Sequence, residues 1–145
     1  MANIIVDTSE LNKFRSEIKT LGTKFDKETS NLIKKSALNI KRSAMENLTK
    51  NKSVKTGHLR RSINETIRPY EAEVKANTKY ALGVEDGTKP HIIRPKRGKF
   101  LYWKGASHPV KMVRHPGNKG KPYLIPAFEK ESSILLKNLE EMIKW

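Results

Sequence analysis

Apolar residues recur at alternating spacings of three and four along the first third of the chain. They fall at Leu11, Phe14, Ile18, Leu21, Phe25, Leu32, Ala37 (or Ser36), Ile40, Ala44 and Leu48, with Glu28 and Thr29 as the weak point. That period marks one face of a helix. Asp7-Thr8-Ser9 offers a helix start, with acidic Glu10 in the first turn, so a helix is expected over 8–50. Roughly forty residues at ~1.5 Å each would span ~60 Å. Gly22 lies inside and weakens the helix there by ~1 kcal/mol relative to Ala. A stripe this long needs cover from a second helix, a sheet or a neighbouring subunit.

The polar passage from Lys50 to Gly57 ends the pattern. His58 to Ile63 suits a short helical turn, with Leu59 and Ile63 facing the same way. Asn64–Arg68 and Ala72–Ala76 read as two strands around a Pro69-Tyr70-Glu71 turn. Tyr80 to Glu85 is apolar enough to be buried on one side. Gly87 before Thr88 suits a turn that needs a positive φ. His91–Ile93, Phe100–Trp103 and Val110–Val113 are short strand-like runs, expected to form a hairpin or small meander with its tip at Gly105-Ala106-Ser107. The last helix is expected over 126–144, with Pro126 in its first turn. Phe128, Ser132, Leu135, Leu139 and Met142 or Ile143 line one face of it. Glu129 and Glu131 suit its N-terminal end and Lys144 its C-terminal end. The expected class is α+β: one domain over 1–145, with a small antiparallel sheet and basic loops over 56–121, packed by a long N-terminal helix and a C-terminal helix.

Charge sharpens this picture. The chain carries 30 Lys and Arg against 15 Asp and Glu, net +15 over 145 residues. Residues 1–50 hold 10 basic and 6 acidic, residues 51–122 hold 17 and 5, and residues 123–145 hold 3 and 4. The excess sits in the middle, on the turn-rich block. Such a surface favours polyanions or an acidic protein partner. There are no cysteines, which excludes disulfides and thiolate metal sites and fits a reducing compartment. No apolar run approaches the ~18 residues of a membrane span, and the N-terminus lacks the pattern of a signal peptide. A soluble chain made in the cytoplasm is expected, with no membrane association.

Catalytic chemistry finds little support. His58, His91, His108 and His115 show no His-x-x-x-His spacing and no paired carboxylate, so no metal ligand set is assigned. Glu85 and Asp86 are adjacent, and neighbours on a strand point to opposite sides, so they make a poor acid/base pair. One of them is expected to accept a backbone hydrogen bond in the turn. No Gly-x-Ser-x-Gly surrounds a serine. Gly117 to Lys121 lacks the full phosphate-loop pattern. No cofactor is implied. A small metal-dependent nuclease would have to rest on Glu85 or Asp86.

The basic block is the better candidate for binding. Arg94, Lys96, Arg97, Lys99, Lys104, Lys111, Arg114, Lys119 and Lys121 interleave with Phe100, Tyr102 and Trp103. Cations bind phosphates and exposed aromatics stack on bases. The aromatics alternate along a presumed strand, however, so at least half are expected in the core. No helix-turn-helix, zinc-finger or RNA-binding signature is present. A basic, non-specific DNA-binding protein is therefore the alternative function.

Three motifs carry a resemblance. Thr56, Gly57, Leu59 and Ser62 fit Thr-Gly-x-Leu-x-x-Ser. Tyr80, Ala81, Glu85, Gly87 and Thr88 fit Tyr-Ala-x-x-x-Glu-x-Gly-Thr. His115, Pro116, Gly117, Pro122, Tyr123, Leu124, Pro126 and Ala127 fit His-Pro-Gly-x-x-x-x-Pro-(Phe/Tyr)-Leu-x-Pro-Ala, with Tyr123 where Phe is commoner. In this order, between long helices, they resemble a tail-component family of long-tailed bacteriophages and prophages, the head–tail joining, neck or tail-completion proteins. The resemblance implies a non-enzymatic virion protein at the head–tail junction, assembled in the host cytoplasm. It implies a homo-oligomeric ring, usually a hexamer, between the head connector and the tail tube or tail terminator, with double-stranded DNA passing through. It casts the motif residues as turn formers and fold anchors. The loop from Arg94 to Lys121 is expected to dock on connector or tail subunits and to order on contact.

Overall fold

A computed structural model describes residues 9–53 and 55–144, with side chains from residue 12 onward; the expected cap at Asp7 and Thr8 lies outside them. Helix α1 (Ser9–Lys50) is unbroken. It passes through Gly22 without interruption, and no other part of the protein approaches that glycine. The stripe is used unevenly. Ala37, Ile40, Ala44 and Leu48 are buried, whereas Phe14, Ile18, Leu21 and Phe25 are 61%, 54%, 45% and 42% exposed. The expected continuous core stripe is therefore a core stripe only in its C-terminal half. The C-terminal helix and the first two strands pack against that half, and residues 12–28 are exposed.

Gly57 takes φ 73 and starts the short helix α2 (His58–Arg61), which ends at Ser62. The chain then turns into β1 (Ile63–Arg68), paired antiparallel with β2 (Glu71–Ala76). The register runs from Ile63 opposite Ala76 to Arg68 opposite Glu71, one residue longer on each strand than the sequence pattern suggests. Pro69 and Tyr70 form the turn, where the missing proline N–H leaves no ladder bond unmade. Inward residues of β1 face α1: Ile63 is buried beside Leu59, and Glu65 meets Lys41 in a half-buried ion pair. The hydrogen bond from Lys41 holds the Glu65 carboxyl below its ordinary pKa, against the opposing effect of desolvation.

Tyr80 to Glu85 forms a helical turn, α3 (Ala81–Glu85), rather than a strand. Glu85 points inward and is buried, while Asp86 is exposed. Next come β3 (Gly87–Thr88), β4 (His91–Ile93), β5 (Val113–His115) and β6 (Asn118–Lys119). β3 pairs with β6 and β4 with β5, both antiparallel, and Leu101 bridges to Val110 further out. The antiparallel pairing is thus divided into three two-stranded ladders. Residues 89–115 form one long hairpin arm, with its bend at Gly105 (φ 97) and a turn bond from Ala106 N–H to Trp103 O of 2.9 Å.

Helix α4 (Ile125–Ile143) returns along α1, with Pro126 in its first turn. The line it buries is Tyr123, Ala127 and Glu131. Phe128, expected on the covered face, is 57% exposed. The contact line is offset by one residue, about 100° around the helix, because small Ala127 lets α4 approach the buried Ala37 and Ala44 of α1. The stripe Phe128, Ser132, Leu135 and Leu139 instead lines an open groove between α1, β2 and α4.

Candidate functional site

The three motifs converge on one junction. The first is a self-contained turn. Arg61 Nη2 donates to Thr56 O at 3.3 Å, Ser62 Oγ donates to Leu59 O at 2.8 Å, and Leu59 is buried in the core. His58 Nδ1 lies 3.2 Å from the Tyr80 hydroxyl, which ties this turn to the second motif.

The second motif is tied to the third through Glu85. Its Oε2 accepts the backbone N–H groups of Tyr123 and Leu124, and its Oε1 accepts that of Ile125, each at 2.9 Å. Helix N-termini leave such donors unpaired, and an anion there is favoured by the macrodipole. No side chain of the local sequence caps α4. Glu85, about forty residues upstream, does so. The sequence reading expected a carboxylate to accept a turn bond, and the acceptor is Glu85, working across the junction.

Backbone packing beside it is too tight for side chains. Gly87 (φ 84) and Gly117 (φ 85) occupy the left-handed region that disfavours other residues. A Cβ on Gly87 would collide with the Asn118 carbonyl, and one on Gly117 with the Thr88 carbonyl. Gly120 lies equally close to Glu85 and Asp86. Thr88 Oγ1 accepts the Asn118 N–H at 3.1 Å, and Lys121 N–H reaches Val84 O at 2.8 Å. His115 Nδ1 accepts the Gly117 N–H at 3.0 Å, which shapes the His-Pro-Gly turn. The His115 ring stacks on His91 at 5.0 Å across the base of the arm.

Helix α1 fastens the other side. Asn47 Nδ2 donates to Tyr123 O at 3.0 Å, and Asn51 Nδ2 donates to Pro122 O at 2.9 Å. Asn39 Nδ2 donates to Glu131 Oε1 at 2.8 Å. Sequence reasoning missed these three asparagines. Asn39 and Asn47, eight apart on one face of α1, with Asn51 just past its end, were the available signal. Tyr123 is enclosed at the centre, and its hydroxyl pKa is pushed up to about 12 by burial, then by the nearby Glu85 and Tyr80. Leu124 is half-buried against the core and Ala127 is buried, while Pro116, Pro122 and Pro126 are exposed turn residues.

From this junction the arm projects. Arg94, Lys96, Arg97, Lys99, Lys104, Lys111 and Arg114 lie along it, all exposed; Lys119 and Lys121 lie at its base. Residues 89–115 hold eight Lys and Arg and no Asp or Glu. Among the described residues none of the nine candidates joins an ion pair. Lys121 Nζ is the one committed to the body, donating to Asn51 O at 3.1 Å. Phe100, Tyr102 and Trp103 are 52%, 69% and 50% exposed, so the expectation that half of them are core fails. Among the described residues, the two strands of the arm pack chiefly on each other.

Glu85 accepts three N–H groups at the start of α4, and Asp86 is exposed. No cluster of three or more His, Cys, Asp or Glu occurs among the described residues. No helix there is long and apolar enough to cross a membrane.

Residues 12–87 match the family model described as "Bacteriophage HK97-gp10, putative tail-component". The match takes in most of α1, the first motif and the second as far as Gly87; the third motif lies beyond it. Neither the curated proteins nor the solved structures provide a match. With more than half of its length matched, the chain belongs to the HK97-gp10-like family of bacteriophage tail components.

Proposed function

We propose that this tail component is a structural subunit of the head–tail junction. In this reading several copies form a ring, hexameric by the family resemblance. The ring joins the head connector to the tail tube or tail terminator, and double-stranded DNA passes through it. Assembly takes place in the host cytoplasm and the product resides in the virion.

The observation that carries this reading is the arm. It offers eight cations, no anion and three exposed aromatic rings on a hairpin rooted in a rigid junction. A surface like this is complementary to an acidic protein face, and such complementarity sets partner choice and register. Glu85, Gly87 and Gly117 fix its root, so the arm leaves the body in a defined direction. The motif residues are anchors in this scheme, and the nine candidate cations, seven on the arm with Lys119 and Lys121 at its base, are the contact. Particles assembled without the protein, viewed by electron microscopy, should be filled heads and separate tails. Joined particles would refute the reading.

The exposed Phe100, Tyr102 and Trp103 favour one second reading, non-specific contact of the arm with DNA. Strong retention would oppose passage through a channel, so the arm is assigned to protein neighbours first.

A further inference from the structure

Two unpartnered apolar surfaces lie on this chain. One is the α1 stripe Phe14, Ile18, Leu21 and Phe25. The other is the groove between α1, β2 and α4, about 770 Å³, lined by Ile33, Ile40, Val74, Phe128, Leu135 and Leu136 among others. Phe128 and Leu136 are as exposed as the stripe. Contiguous apolar surface of this kind marks an interaction site.

The stripe cannot fill the groove of its own chain. Both belong to the same unbroken helix, with Phe25 and Ile33 eight residues apart, about 12 Å along the axis. Contact between them therefore requires a second molecule. Charge favours the same pairing. Residues 12–28 carry five Lys and Arg against three Asp and Glu, whereas α4 carries four Glu against two Lys. Glu71 and Glu73 on the β2 wall of the groove are paired with Arg68 and Lys75, so the acidic excess lies on α4.

We propose that the Phe14–Phe25 stripe of one copy seats in the α1–β2–α4 groove of a second copy. This inference rests on the assembly reading above and supplies its subunit contact. Stripe and groove are different surfaces, so when each stripe seats in the groove of the next copy the contact is heterologous, the type that repeats around a closed ring. Ile18 and Leu21 fill the middle of the groove, and the net-basic residues 12–28 run beside the net-acidic α4.

The absence of native cysteines makes a direct test possible. The full chain is prepared as Leu21→Cys and, separately, as Leu136→Cys, both at exposed positions, and folding is checked by circular dichroism. An equimolar mixture, oxidised, should give a disulfide-linked dimer in clear excess over either variant alone. Adding Ile18→Glu to the Leu21→Cys chain should abolish that excess. A mixture that cross-links no more than the single variants would overturn the proposal, as would indifference to Ile18→Glu. Rings seen by sedimentation alongside a negative cross-link would sink this contact alone and leave the junction role standing.

Discussion

The Glu85 carboxylate accepts the Tyr123 backbone N–H at 2.9 Å, although 38 positions separate the two residues. This bond and its two neighbours hold the start of α4 to the end of α3 and so close the base of the arm. The junction is a long-range cap, made by a buried anion on donors that would otherwise be lost.

Replacing Glu85 with Gln removes the charge and puts an amide donor against N–H groups. The loss of a charged cap and the burial of an unsatisfied group together cost about 2–3 kcal/mol. Thermal unfolding followed at 222 nm should show a clearly lower Tm for Glu85→Gln. Asp86→Asn, at an exposed neighbour with no such bonds, should leave Tm nearly unchanged.

Gly117→Ala forces a side chain into a left-handed conformation at φ 85 and against the Thr88 carbonyl. The conformational part alone costs about 1–2 kcal/mol, and the collision adds to it. Chemical denaturation should give a lower midpoint for Gly117→Ala. Gly22→Ala, at an open position in α1, should raise the midpoint slightly through helix propensity.

Alkaline pH should weaken the junction through Tyr123. Its folded pKa of about 12 lies above the ordinary value of 10.0, so the folded state favours the protonated phenol. That contribution is complete below pH 10 and is lost as pH climbs through about 12. A difference titration of phenolate absorbance, wild type minus Tyr123→Phe, should show a midpoint near 12 or at the unfolding transition. A midpoint near 10 would mean that the hydroxyl is solvated.

Contact of the arm with DNA should be electrostatic and blind to sequence. Affinity for unrelated duplexes should be equal and should fall steeply with salt, by about 10³-fold or more between 50 and 200 mM if six phosphates are engaged. Filter binding across a salt series measures the slope. A flat slope, or preference for one duplex, would assign the aromatic rings a different role.

Much of this architecture is legible in the sequence, because periodicity and turn chemistry are local. The three-four spacing gives α1 and α4. Gly87 announces a left-handed turn, and the bend of the arm falls at Gly105 as expected. What escapes is relational. The apolar spacing is the same at Phe14 and at Ala44, yet only Ala44 is covered, since periodicity does not reveal which element lies opposite. Phe128 and Ala127 differ by a single step around α4, and the small residue wins the contact. Phe100, Tyr102 and Trp103 have the alternation of a core strand, but the fold gives them nothing to pack on. Asn39, Asn47 and Asn51 look like any polar face until the carbonyls of Pro122 and Tyr123 arrive beside two of them. Glu85 is conspicuous in sequence as half of an acidic pair and as a motif position, but its partners lie in another motif.

The central claim is that the arm is a docking surface on a subunit that other virion proteins complete. Its most direct test reverses Lys96, Arg97 and Lys99 to Glu and supplies this variant to particles lacking the native protein. All three positions are exposed and free of ion pairs among the described residues, so the fold and Tm should be preserved. The account predicts folded protein, filled heads and unattached tails. Normal yields of joined, infectious particles from that variant would contradict it.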